Sequence, residues 1–222
     1  IVCSQISCSL ILQDIHALTE GWVIALGMVG VRLQEYKPLP VIKQEKHSLS
    51  DLFQYIVFEV LDKQPSHIKS FIERTSILED LSAPVCNQLL GIQNSSAILE
   101  ALFEKHIFIV STNPSQYRYH GLVRELTENH LKSSNYDLYL SLHHDAAAFF
   151  RKEEQYDSMF YHLKQANDHS LMAEQLSEHG IALLREGKVR MVLGLLQCIP
   201  DTKKDEFGWL WYFSGEVHRL LT

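Results

Sequence analysis

The chain has 222 residues, 46% of them hydrophobic and 21% charged, with a formal net charge of −7. That is ordinary globular composition, enough for one or two domains with a real core. The acidic balance argues against a general binder of nucleic acid or of anionic membrane, because a phosphate surface rewards clustered Lys and Arg.

The four cysteines, Cys3, Cys8, Cys86 and Cys198, form no C-x-x-C pair and suit a reducing, cytoplasmic setting. No basic segment precedes the apolar run Ile1–Leu12, so no signal peptide is predicted. The most apolar run, Trp22 to Val31, has about ten residues, short of the roughly 20 that cross a bilayer. The abrupt start at Ile1 reads as a piece of a longer protein.

Residues 10–36 read as helix, broken at Thr19-Glu20-Gly21-Trp22. Lys37-Pro38-Leu39-Pro40 ends it, since proline cannot continue a helix and disfavours helix in the residue before. With the polar stretch to His47 it forms a linker over 37–47. Ser48-Leu49-Ser50-Asp51 resembles a capping box, and the face behind it is predicted as Leu52, Tyr55, Ile56 and Val60. Pro65 opens the next helix, with Ile68, Phe71 and Ile72 inward. Ser82-Ala83-Pro84 opens a third, closed by Gly91. Asn94 or Ser95 caps a fourth, with Ile98, Leu99, Leu102 and Phe103 inward.

Ile107-Phe108-Ile109-Val110 then reads as a strand, Thr112-Asn113-Pro114-Ser115 as a turn, and Tyr117-Arg118-Tyr119 as a second strand. A helix from Gly121 to Leu131 follows, with His120 at its start. Helices, a hairpin and a helix make a winged-helix domain over 48–135. A helix start favours an anion through its free N–H groups and its dipole, and an imidazole there can donate to a phosphate. The plain alternative is a histidine that caps its own helix or satisfies a core carbonyl. Direct DNA contact from this domain is not expected. Its recognition-helix position, 95–105, carries Glu100 and Glu104 against Lys105, and the hairpin tip has no base.

From Tyr136 onward the pattern is of helix hairpins. Leu138–Arg151, Tyr156–Ala166, Ser170–Glu178 capped by Asn167-Asp168 and ended by Gly180, Lys188–Ile199, and Asp205–Leu221 are the predicted helices. Such a run suggests a stack resembling tetratricopeptide repeats over 136–222. The last helix is so rich in aromatic residues that a further repeat is expected to cover it. The fold class is thus mostly α: a winged helix with a small β-hairpin, followed by TPR-like α-hairpins.

No self-contained active site is legible, and no catalytic residue is assigned. There is no G-x-x-x-x-G-K-[ST] loop, no H-E-x-x-H and no G-x-S-x-G. None of the 12 histidines has another four residues away, so a helical pair of metal ligands is not expected.

Three segments in order carry a family resemblance. They are Leu18-Thr19-Glu20-Gly21-Trp22; then Arg74-Thr75-Ser76-Ile77-Leu78 with Leu81-Ser82-Ala83-Pro84-Val85-Cys86; then Tyr117-Arg118-Tyr119-His120-Gly121-Leu122. Together they resemble the middle of the MalT-type regulators, large ATP-binding transcriptional activators of the LuxR family and a bacterial branch of the STAND ATPases. The resemblance implies a helical lid of a nucleotide-binding module over 1–36, the winged helix over 48–135, and the arm and start of a sensor over 136–222. It places the phosphate loop upstream and the DNA-binding helix-turn-helix downstream, both outside this chain.

It also implies site residues. His120 matches the winged-helix histidine that touches the ADP β-phosphate in related resting proteins, although Gly121 stands where an acidic residue is often found. Gly21, Trp22 and Val23 match a lid motif near adenine whose third residue is usually proline. The implied cofactor is ATP or ADP in the parent protein, a weak ATPase, with none held by this segment alone. The implied partners are the upstream nucleotide-binding domain and an inducer or protein at the helical repeats, with no membrane. A second reading, a stand-alone winged-helix and repeat scaffold for protein partners, stays open.

Overall fold

The computed structural model describes residues 46–221. The lid expected over 1–36, the linker up to His47 save its last two residues, and the site residues Gly21, Trp22 and Val23 lie outside the described residues. The described chain forms two compact units that divide between Tyr136 and Asp137.

The first unit holds α1 (Lys46–Asp62), α2 (Ser66–Thr75), α3 (Ala83–Leu90), α4 (Ser95–Glu104), β1 (Ile109–Asn113), β2 (Gln116–Tyr119) and α5 (Gly121–Ser134). Helix α1 begins before Ser48, which therefore lies inside it. Lys46 and His47 precede it within the helix, and lysine is a good helix former. Its buried face is Ile56, Val57 and Leu61, while Tyr55 is exposed. The sequence is apolar on two sides of this helix, so periodicity alone could not choose between them.

Pro65 is the N-cap of α2, and its carbonyl accepts from the N–H groups of Ile68 and Lys69. Ser82 precedes α3 with Pro84 in the first turn, and Gly91 closes it at φ 65°. That left-handed conformation costs glycine nothing sterically, which fits its place one residue past a helix. Asn87 then fastens the α3–α4 turn: its side-chain oxygen accepts from Ser95 N–H at 3.1 Å and its carbonyl from Ile92 N–H at 3.2 Å. On α4, Ser95, Ile98, Leu99 and Leu102 are buried, but Phe103 is 38% exposed. The inward stripe is complete without it, and Phe103 falls on the stripe's edge, beside Tyr117 at 5.7 Å between ring centroids.

The hairpin is antiparallel, pairing Ile109 with Tyr119, Val110 with Arg118 and Ser111 with Tyr117, with a register shift between Ser111 and Asn113. The first strand starts later than expected because Phe108 takes a positive φ of 66° while its ring is fully buried. Leu81 adds an isolated antiparallel bridge to Tyr117, closed by bonds of 2.7 and 2.9 Å. Helix α5 packs its Val123, Thr127 and Leu131 stripe inward, and contacts α1 and α2.

The second unit is helical: α6 (Tyr136–Lys152), α7 (Tyr156–Gln165), α8 (His169–Arg185), α9 (Val189–Cys198), α10 (Asp201–Glu206) and α11 (Gly208–Leu221). Asp168 caps α8, accepting from Leu171 N–H at 2.9 Å, so the α7–α8 turn forms where the sequence places it. Gly180 does not end α8. The helix runs on through it, and the residue is buried against the ring of Phe213. Its role is close approach rather than termination; the stop comes at Gly187, φ 78°. The final segment is two helices, not one. Pro200 caps α10, accepting from Lys203 and Lys204, and Phe207 at φ −127° and ψ 87° separates it from α11. Helix α8 is the hub of this unit, packing against α7, α9, α10 and α11.

Candidate functional site

The site is built where α2, β2 and α5 meet. Thr75 ends α2 fully buried, and its hydroxyl donates to the Phe71 carbonyl at 2.7 Å. Tyr119 ends β2, and its hydroxyl lies 2.7 Å from Thr75 Oγ1. The Thr75 hydrogen is already committed to Phe71, so Tyr119 is the donor in this second bond. Burial pushes the Tyr119 phenol well above its ordinary range, and the bond to Thr75 opposes that rise only in part.

His120 follows directly. It is the N-cap of α5, with φ −54° and ψ 135°. Its N–H donates to the Phe108 carbonyl at 2.9 Å, and its carbonyl accepts from Arg124 N–H at 3.0 Å. The backbone is thereby clamped on both sides. The ring is 6% exposed. Its side chain makes no capping bond to its own helix, and the first turn of α5 carries no acidic residue. One of the two plain explanations for this histidine, the self-cap, is therefore absent. The helix's own first turn supplies no carboxylate to neutralise its positive end.

Among the site residues read from the sequence, only His120 is among the described ones. Sequence reasoning missed Thr75 and Tyr119 as its supports. The signal for them was a hydroxyl-bearing residue inside each of two marked segments. Arg74, next to Thr75, also has its Nε enclosed without a hydrogen-bond acceptor among the described residues. Cys86 of the same marked region is fully buried, with its thiol pushed up to about 12, chiefly by burial and against a bond with Ser82. It is a core group and offers no nucleophile.

Among the described residues no group of three or more His, Cys, Asp or Glu is placed to hold a metal. No described helix is long and apolar enough to cross a membrane.

Residues 57–139 match the family model of the MalT winged helix domain. The chain is 22% identical over 184 residues to the HTH-type transcriptional regulator MalT of Vibrio campbellii, covering 80% of this chain and 20% of that protein. With MalT of Yersinia pestis it shares 25% over 191 residues, 82% of this chain and 21% of that protein. With the serine/threonine-protein kinase PknK of Mycobacterium tuberculosis it shares 23% over 195 residues, 85% of this chain and 18% of that protein. The chain thus spans about a fifth of the length of the curated relatives it matches. The chain is thus similar to the MalT-type regulators over about four fifths of its length, and its residues 57–139 match their winged helix domain.

Proposed function

We propose that this chain is the regulatory middle segment of an ATP-dependent, LuxR/MalT-type transcriptional activator. In this reading it couples the nucleotide state of an upstream domain to sensing of an inducer or protein by the helical hairpins of the second unit. DNA contact would come from a helix-turn-helix elsewhere in the parent protein. In this reading the segment regulates rather than catalyses.

The observation that carries the reading is His120 at the start of α5. The donor set suits a phosphate: an imidazole, a helix of 14 residues whose first turn has no acid, and a backbone clamped by Phe108 and Arg124. The nucleotide would supply a diphosphate as the group to be held. The chain's own part is to hold the imidazole in place. Thr75 and Tyr119 fix the end of β2, and with it the residue that follows. A charge-assisted hydrogen bond of this kind contributes about 1.5–3 kcal/mol. Since about 1.4 kcal/mol is tenfold in an equilibrium, losing it would shift a resting-to-open balance by tenfold or more.

The test is His120→Ala in the full-length protein. Activity without inducer should rise by tenfold or more, and bound ADP should be lost on dialysis. Unchanged basal activity together with unchanged ADP retention overturns the reading.

A scaffold reading is favoured by one observation, the exposed Trp209, Trp211 and Tyr212 on α11, since such side chains dominate protein interfaces. The upstream coding sequence separates the two. A phosphate loop there supports the switch; an intact start codon near Ile1 supports the scaffold.

A further inference from the structure

We infer that the exposed flank of α4, together with Tyr117 of the hairpin, is a docking surface for an arginine-bearing segment of a partner protein. This inference stands apart from the nucleotide reading.

Ser96, Glu100 and Phe103 recur at helical spacing along one exposed flank of α4, with Glu104 beside them. The Phe103 ring lies 5.7 Å from Tyr117, and Tyr117 is bridged through its backbone to Leu81. The exposed Glu79 and Asp80 immediately precede Leu81. Glu100 and Glu104 thus share α4 with one ring of the aromatic pair, and Glu79 and Asp80 adjoin in sequence the residue bridged to the other.

Those carboxylates differ from others in the same unit. Glu59 is paired with Lys63, and Asp62 with Lys69. Among the described residues, Glu79, Asp80 and Glu104 have no cation within salt-bridge distance, and Glu100 is met only by the Ser96 hydroxyl at 3.0 Å. Lys105 follows Glu104 but forms no ion pair among the described residues, so these carboxylates gather like charge that works against the compact state. A cationic partner would relieve that cost.

Guanidinium matches both halves of the surface. Its plane stacks on an aromatic face while its N–H groups fork onto carboxylates, whereas an ammonium offers only a point charge. A nucleic acid is the wrong occupant, because its phosphates would meet these same carboxylates. The helix that faces DNA in many winged helices would here face protein.

The experiment uses the whole chain and a short synthetic helical peptide with arginines at i and i+4, followed by calorimetry and amide chemical-shift mapping. The expected result is binding that weakens with salt, with shifts centred on Leu81, Phe103 and Tyr117. Phe103→Ala and the double change Glu100→Gln/Glu104→Gln should each weaken it by about three- to tenfold, the scale of one cation–π or exposed ionic contact. The lysine version of the peptide should bind several-fold more weakly. All three positions are exposed, so these variants should melt as the parent does. Asp62→Asn, at a carboxylate paired within the unit, controls for general charge and should change nothing. No binding at millimolar peptide, equal binding of the lysine version with no effect of Phe103→Ala, equal loss in Asp62→Asn, or duplex DNA binding that shifts the α4 amides overturns the inference.

Discussion

Tyr119 donates its phenolic hydrogen to Thr75 at 2.7 Å, and Thr75 passes its own to the Phe71 carbonyl at 2.7 Å, with both residues buried. The chain of bonds ties the last residue of a strand to the last residue of a helix. Its direction makes the two partners unequal. Tyr119→Phe leaves only an acceptor lone pair unmet and should cost about 1 kcal/mol. Thr75→Val leaves a buried O–H with nothing to receive it and should cost more, about 1–3 kcal/mol. Urea unfolding of the two variants checks this; an equal or reversed order contradicts the assigned direction.

The same bond predicts a response to alkali. The Tyr119 phenol is raised by burial, so above its unfolded value of about 10 the folded chain keeps a proton that the unfolded chain has lost. The unfolded state then binds fewer protons, and stability falls as pH rises. The contribution is whole below about pH 10 and declines above it. Tyr119→Phe should show a shallower alkaline decline than the parent when unfolding midpoints are compared at about pH 8 and about pH 11. Parallel declines would mean that this phenol ionises as freely in the folded chain.

Gly180 and Gly215 are both helical, yet they should respond oppositely to alanine. A Cβ added at Gly180 would fall 2.8 Å from Cδ2 and Cζ of Phe213 and closer still to Cε2, whereas one at Gly215 would meet nothing within 4 Å. Phe213 is fully buried, so its ring has little room to retreat. Helix propensity favours alanine over glycine by about 1 kcal/mol, and overpacking a core costs about 1–3 kcal/mol. Gly215→Ala should therefore stabilise by roughly 0.5–1 kcal/mol, while Gly180→Ala should destabilise by up to about 2 kcal/mol after the propensity gain is set against the clash. Thermal melts followed through Trp209 and Trp211 would read both; stabilisation by Gly180→Ala would mean the α8–α11 contact is loose.

These glycines also mark where sequence reading succeeds and where it stops. Gly91 was legible as a stop, because local backbone chemistry asks for a left-handed residue there. Gly180 looked the same in sequence, but its reason lies about 30 residues away in Phe213, and no local rule carries that distance. The hairpin and its following helix were legible from alternation, turn residues and a helical stripe. Tyr55 and Phe103 were assigned inward because both are apolar at near-helical spacing, and only packing decides which edge of a broad stripe is covered. His120 was singled out from its place at a helix start. The Thr75–Tyr119 bond beneath it spans 44 residues and could not be read from either segment alone.

His143 and His162 join α6 to α7 through their Nδ1 atoms at 2.8 Å, with the rings 0% and 2% exposed. Tyr139 meets His143 edge-on at 4.5 Å, Phe150 stacks on His162 at 5.4 Å, and Tyr161 lies 5.1 Å from His162. In such a bond one nitrogen carries the hydrogen and the other gives a lone pair, so two imidazolium rings cannot sustain it. Removing one ring takes this bond from the other's buried nitrogen, so His143→Phe and His162→Phe should each cost about 1–3 kcal/mol. The double change should cost less than the sum of the two, because each single change already loses the shared bond. Urea unfolding of the three variants checks this; additive losses would show that the bond between the rings contributes nothing.

Cys86 gives the most direct chemical check on the core of the winged helix. Its side chain is fully buried and its thiol is pushed up to about 12. Alkylation requires the thiolate. At about pH 8 an ordinary thiol near 8.5 is substantially ionised, while one near 12 is ionised to roughly one part in ten thousand. Burial adds a steric barrier to the same side. Iodoacetamide should therefore modify the half-buried Cys198 in the native chain and spare Cys86. Urea should bring Cys86 to the rate of an ordinary thiol in step with unfolding. Peptide mapping by mass spectrometry reads both sites in one sample. Rapid native labelling of Cys86 would mean that the α3 region opens locally, and that the frame supporting Thr75, Tyr119 and His120 is looser than its packing indicates.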